Sequence, residues 1–238
     1  MSAPLHRLSP EQQREILATM GIDVWQRRDL PPASPASAPP VVDESAPAVD
    51  PAQMDWTALQ QAVPQCTACE LHATRTHTVF GVGNREARLL VIGEAPGADE
   101  DQQGEPFVGR AGQLLNEMLF AIGFRREQVY IANILKCRPP NNRDPLPEEV
   151  VSCAPFLQRQ IALIQPQAIL AVGRIAAQNL LQTTTPVGKL RGVTHTYSEA
   201  QIPLVVTYHP AYLLRSPLEK RRAWQDLLAV KKQLDTGS

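Results

Sequence analysis

Charge of either sign is not in excess here: 23 Lys and Arg face 24 Asp and Glu, a net charge of -1 over 238 residues. That balance excludes a strongly basic chain that coats nucleic acid through its charge alone. Aromatics are sparse at 5%. No apolar run approaches the roughly 18 residues a membrane span requires, and residues 1–10 lack the apolar centre of a secretory signal. A soluble, cytoplasmic protein with no membrane partner is therefore expected, monomeric apart from any recruiting partner. Internal repeats and coiled-coil heptads are also missing. Cysteine is limited to Cys66, Cys69, Cys137 and Cys153, which in a cytoplasmic chain read as metal ligands or core residues before disulfides.

What is present divides unevenly. Residues 1–60 carry four Arg and eight acids, so the remainder is mildly basic and suited to phosphate contacts in a local groove. Ser9-Pro10-Glu11-Gln12 marks a helix start. Ile16, Leu17 and Met20 give that helix an apolar side, and Gly21 is placed to end it. Residues 1–30 form an amphipathic peptide suited to partner binding. Residues 31–54 are Pro, Ala and Ser with a few acids, a composition that cannot bury enough apolar surface to offset ordering entropy. They read as a linker, with the globular domain at 55–238.

In that domain four apolar runs alternate with helical patterns. Residues 89–92, 129–135, 168–172 and 204–208 read as strands. Residues 109–123, 147–164 and about 218–234 read as helices, the last with Trp224, Leu227, Leu228 and Val230 facing inward. Alternation of this kind predicts an α/β fold, a doubly wound and mainly parallel four-stranded sheet. Three strands stop in unusual polar groups. The first runs into Gly93-Glu94-Ala95-Pro96-Gly97; the second carries Asn133 and leads into a basic, Asn-rich loop to Arg143; the fourth delivers His209-Pro210. Strand carboxyl ends are where open α/β sheets bind ligands. A carboxylate, amides and an imidazole on one rim suit a polar heterocycle, with Phe107 as the nearest loop aromatic. Cys66 and Cys69 form a chelating pair, and four thiolates suit either zinc or an iron-sulfur cluster. The wide separation of Cys137 from Cys153 favours the cluster.

The blocks GEAPGADEDQQGEPFVGRAGQLL, NILKCRPPNNRDPLPEE and HPAYLLRSP, bracketed by the four cysteines, resemble family 4 uracil-DNA glycosylases over residues 55–238. The resemblance implies a three-layer αβα sandwich and removal of uracil from DNA. It also implies a 4Fe-4S cluster on Cys66, Cys69, Cys137 and Cys153, with zinc as the lesser alternative. It further implies that Phe107 stacks on the base beside Ala95, that Asn133 pairs with the base edge, and that Glu100 bars a thymine methyl. By the same resemblance His209 stabilises charge on uracil O2, while Glu94 and Asn142 serve the water and the sugar cation. Leu213, Leu214 and Arg215 would wedge into the gap left by the flipped base. Residues 138–143 contain no histidine, which disfavours the covalent base trapping found in one variant of the superfamily.

The leader has a shorter likeness. REILATMGIDVWQRRDLP resembles the N-terminal peptide of the psi subunit of bacterial DNA polymerase III, which docks on the clamp loader. It implies that residues 11–30 recruit the chain to that partner, with a glycosylase-like, psi-like replisome interaction protein of weak or no catalytic activity as the alternative function.

Overall fold

The apolar run at Leu89 forms the strand around which the sheet is laid. The computed structural model describes residues 9–21, 50–197 and 201–236, and the chain divides into two units, Met1–Pro47 and Ala48–Ser238. In the first unit, helix α1 (Pro10–Thr19) is followed by Gly21 at φ 72, the left-handed turn that a glycine tolerates best. Trp25, Arg27 and Arg28 lie outside the described residues.

In the second unit, helix α2 (Trp56–Gln65) precedes strands β1 (Val82–Gly83) and β2 (Leu89–Gly93), helices α3 (Ala98–Gln103) and α4 (Arg110–Ala121), and strand β3 (Tyr130–Asn133). Helix α5 (Pro147–Ile164), strand β4 (Ala168–Val172), helices α6 (Arg174–Leu180) and α7 (Val187–Leu190), strands β5 (Thr194–Tyr197) and β6 (Ile202–Thr207), and helices α8 (Pro210–Arg215) and α9 (Lys220–Thr236) complete it. The sheet order is β1-β3-β2-β4-β6-β5. The four expected strands are its parallel centre, and two antiparallel edge strands extend it.

Alternate residues of each central strand feed two different cores. Leu90, Ile92, Ala132, Ile169, Ala171, Leu204 and Val206 pack with Leu157 and Ile161 of α5, Ala176 and Ala177 of α6, and Leu190 of α7. Leu89, Val91, Ile131, Ala168, Leu170, Val172 and Val205 pack instead with α4, Leu213 of α8, and α9. Each such residue is almost wholly buried, at about 1.5–3 kcal/mol for a Leu, Ile or Val. The result is helices, sheet, helices: the three-layer αβα sandwich.

The topology also fixes where a ligand can sit. From β2 the chain moves to β3 through α4 on one face, then doubles back across β2 to β4 through α5 on the other. Right-handed crossovers require that change of face when the direction reverses. The reversal opens a crevice at the carboxyl end of β2, where the Glu94 loop and the loop after β3 part.

Helix α9 corrects one expectation. Its inner stripe is Ala223, Asp226, Leu227, Val230 and Leu234, while Trp224 and Leu228 are 42% and 44% exposed. Asp226 takes the inward position because it is paired there. Arg191 Nε and Nη2 donate to its two carboxylate oxygens at 3.0 and 2.9 Å, and Thr207 Oγ1 donates at 3.0 Å. An ion-paired carboxylate thus replaces an apolar contact, and the helix turns its tryptophan outward. Among the described residues no helix is long and apolar enough to cross a membrane.

Candidate active site

The crevice at the end of β2 holds a cleft of about 460 Å³ lined by Glu94, Ala95, Glu100, Phe107, Asn133, Asn142, His209 and Arg215 from the sequence-derived set. Pro96, Gly97, Ala111, Pro139, Arg143 and Ala211 complete the wall. The volume suits a nucleoside-sized group.

Asn133 ends β3 and is 2% exposed. Its Oδ1 is the one buried side-chain N or O atom among the described residues with no hydrogen-bond partner. An unsatisfied buried acceptor costs about 1–3 kcal/mol, and here it lines a cleft, so the cleft awaits a donor. Gly93 makes room for that amide: a Cβ at Gly93 would fall 2.5 Å from Asn133 Oδ1 and 2.6 Å from the Phe107 ring.

Phe107 adopts φ 55, a left-handed conformation that disfavours a non-glycine residue. Two contacts hold it there. A Cβ on Gly112 would fall 1.7 Å from the Phe107 carbonyl oxygen, so only glycine lets α4 approach. Arg126 donates from Nη2 to the Pro106 carbonyl at 2.5 Å and from Nη1 to that of Phe107 at 3.4 Å. Nothing in the sequence singles out Gly112 or Arg126 for this task. The Phe107 ring lies nearly parallel to the His209 ring, 28° apart with centroids at 5.7 Å. Glu100 organises the loop between: its Oε2 accepts from Gly97 N–H, and its Oε1 from Val108 and Gly109 N–H.

His209 caps α8, and its Nδ1 accepts the Ala211 N–H at 3.1 Å. A neutral ring that accepts at Nδ1 carries its proton on Nε2 and donates there. Burial first, and then the positive charge of Arg215, push its pKa down to about 4, with Glu100 opposing. The imidazole is neutral at physiological pH. Glu94 shifts the other way, up to about 7, because burial disfavours its charge and Asp144 adds a second negative charge, partly offset by Arg174. Asp144 and Arg174 are themselves paired at 2.5 Å.

The loop after β3 is pinned by Arg143, which makes a two-pronged contact to Glu149 at 2.9 and 2.6 Å. Asn142 sits above it at φ 53, its Oδ1 accepting from Arg138 Nε at 2.7 Å. With that oxygen engaged, Asn142 offers the cleft its amide N–H.

The wedge expectation divides. Leu213 is 1% exposed because it and Pro210, one helical turn apart, form the inner face of α8. It belongs to the core and is unavailable to DNA. Leu214 and Arg215 are exposed on the outer side, Arg215 at the rim of the cleft.

A second site lies behind the first. Cys66 at the end of α2, Cys69, Cys137 after β3 and Cys153 in α5 line one small cavity together with Arg75 and Lys136. None of the four is joined in a disulfide. Arg75 Nη1 and the Lys136 backbone N–H point at Cys137 and Cys153 Sγ, at 3.2 and 3.3 Å. Burial pushes the Cys153 thiol up to about 11, so its deprotonated form needs a positive partner. Among the described residues no three Cys, His, Asp or Glu side chains draw together into a single-ion group.

Residues 80–228 match the family described as the Uracil DNA glycosylase superfamily. The Type-4 uracil-DNA glycosylase of Archaeoglobus fulgidus is 49% identical over 161 residues, covering 65% of this chain and 81% of that protein. That of Pyrobaculum aerophilum is 42% identical over 180 residues, covering 73% and 92%. That of Thermotoga maritima is 46% identical over 159 residues, covering 66% and 82%.

Proposed function

Because the chain belongs to the uracil DNA glycosylase superfamily, we propose that it draws uracil out of DNA into the cleft at the carboxyl ends of β2 and β3 and hydrolyses its N-glycosidic bond, leaving an abasic site. It is a DNA-repair hydrolase acting on N-glycosyl bonds, and the non-catalytic alternative is not favoured. The observation that carries the site assignment is the orphaned Asn133 Oδ1 inside the cleft. Uracil presents N3–H as a donor between two carbonyl acceptors, so Oδ1 accepts N3–H while the Asn133 amide N–H donates to O4. Cytosine presents the reverse pattern. Phe107 supplies the stacking face, and the Glu100 wall beside it bars a C5 methyl.

As the bond stretches, negative charge gathers on uracil O2 and positive charge on the sugar. His209, neutral with its proton on Nε2, donates to O2 without having to lose charge first. Glu94 orients the attacking water and steadies the sugar cation, and Asn142 contributes a donor. Leu214 and Arg215 fill the space left in the duplex. Incubation with a uracil-containing oligonucleotide should release free uracil and leave an alkali-labile abasic site. Cleavage without free base would overturn the assignment.

Glu94 acts as the carboxylate, so kcat/KM should rise with pH through a midpoint near 7, the value to which burial and Asp144 raise it in the free enzyme. Asp144→Asn removes a charge that favours the protonated form and should move the midpoint down. His209, already neutral above about 4, adds no second limb in this range. A flat profile from pH 5.5 to 9 would contradict the role of Glu94.

The four cysteines fit a 4Fe-4S cluster. They share one cavity, two N–H groups point at their sulfurs, and four thiolates are the ligand set such a cluster takes. When bound, the cluster would tie α2, the loop after β3 and α5 together behind the substrate cleft. Anaerobically purified protein should absorb broadly at about 400 nm, the thiolate-to-iron band of such a cluster. Stoichiometric zinc without iron or sulfide would refute it.

Residues 11–30 are assigned to recruitment to the DNA polymerase III clamp loader, placing the enzyme at replicating DNA in the cytoplasm. A linker of this composition raises local concentration without fixing geometry. The 3-10 turn Pro51–Gln53 is capped by Asp50, and Arg159 Nε donates to the Met54 carbonyl at 2.5 Å, so a clean truncation ends before residue 48. Removal of residues 1–47 should leave excision within about twofold and abolish clamp-loader pull-down, as should Trp25→Ala in the full chain. Retained binding would end the recruitment assignment.

A further inference from the structure

Between the base-reading amide of Asn133 and the thiol of Cys137 stands Lys136, first in volume among the fully buried side chains of the described residues. Its Nζ donates to the Asn133 backbone carbonyl at 3.1 Å and to Gln160 Oε1 at 2.6 Å. Gln160 is held in turn, donating from Nε2 to the Phe80 carbonyl at 2.9 Å. The same lysine's backbone N–H donates to Cys153 Sγ, and the residue borders the four-thiol cavity. Among the described residues no carboxylate lies within ion-pair distance of it.

A buried ammonium that meets only neutral acceptors is expensive, and proteins keep one only where an anion compensates. The anion at hand is the thiol site. Four deprotonated thiolates around a divalent zinc or a doubly charged cluster core leave a net charge of about -2. Lys136 and Arg75, the latter donating to Cys137 Sγ, supply two positive charges against that cavity. The chain between the two sites has little slack, because Ile134 N–H donates to the Gly93 carbonyl and Leu135 N–H to that of Glu94.

We propose that Lys136 is a positioning residue that couples the four-thiol site to base recognition: thiolate charge holds its ammonium in the core, and the ammonium holds the Asn133 carbonyl so that the amide stays aimed into the cleft. This rests on the assignment of the cleft as a uracil site. The thiol site then acts on how well uracil is held, without touching substrate.

The test compares wild type with Lys136→Met by three measurements: bound iron, sulfide and zinc per chain; the dissociation constant for free uracil by calorimetry; and the single-turnover rate at saturating enzyme. Lys136→Met should retain half or less of the bound group and bind uracil about 10-fold more weakly or worse. Its saturated rate should stay within about threefold, since the loss falls on binding and spares the chemical step. Uracil binding within twofold of wild type overturns the proposal. Weakened binding with a full complement of bound group overturns the coupling, leaving only a local brace. If Lys136→Met does not fold, Lys136→Gln replaces it, keeping a donor and giving up the charge. Its bound group should fall while its uracil dissociation constant stays within about threefold, and any other pattern counts against the proposal. Wild-type protein that binds free uracil but releases none from DNA defeats the enzymatic assignment and leaves this one standing.

Discussion

Asn133→Asp should lower kcat/KM on uracil by about 10³-fold and raise excision of cytosine above the wild-type level. A site built to hydrogen-bond one pattern of donors rejects the analogue by large factors, because mismatched groups are left unpaired in a buried place. With Asp at 133, the group facing uracil O4 changes from donor to acceptor, so one bond becomes a repulsion. The carboxylate accepts from cytosine N4–H₂ there, and the fraction that burial keeps protonated can turn its O–H to cytosine N3 as readily as to uracil O4, so the preference for uracil is lost. Asn133 is already 2% exposed with an unsatisfied oxygen, so no water can easily repair the mismatch. Competition between uracil and cytosine at one position of the same duplex checks this. Unchanged preference for uracil would remove Asn133 from the recognition scheme.

His209→Ala should slow single-turnover excision by about 30- to 1000-fold, the effect of losing one preorganised donor worth roughly 2–4 kcal/mol to the transition state. DNA affinity should change little, because charge on uracil O2 develops only as the bond breaks. The geometry adds a sharper expectation. Ala211 N–H fixes the Nδ1 acceptor, so Nε2 is the donating atom, and burial with Arg215 keeps the ring neutral. His209→Gln, whose amide nitrogen reaches about as far as Nε2, should therefore recover part of the rate. A wild-type rate for His209→Ala would show that O2 is stabilised by other groups.

The centre of this fold is legible in sequence because each parallel strand is buried on both faces and so appears as an unbroken apolar run. Ala168–Val172 lies where its composition places it. The edges are not legible for the opposite reason. Thr194–Tyr197 is polar with alternating exposure, and Val82–Gly83 is two residues long, so neither leaves a pattern to detect. The same distinction separates the site residues. Glu94, Asn133 and His209 announce themselves as polar groups at the ends of apolar strands. The groups that hold the cleft in shape, Gly112 under Phe107, Arg126 on the Pro106 carbonyl and the Asp144–Arg174 pair, come from elements far apart in the chain. Leu213 shows the limit in the other direction: beside an exposed Leu214, its burial depends on which side of a two-turn helix meets the core.

The central claim is that this cleft reads one base by its edge and its C5 position before breaking its bond. The most direct measurement is single-turnover excision by the wild-type, full-length protein from duplexes identical except for uracil, thymine or cytosine at one position, with the released base identified by mass. The structure predicts free uracil from the first duplex and no base above background from the other two. Release of thymine at a rate comparable to uracil, or no release from any duplex, would contradict it.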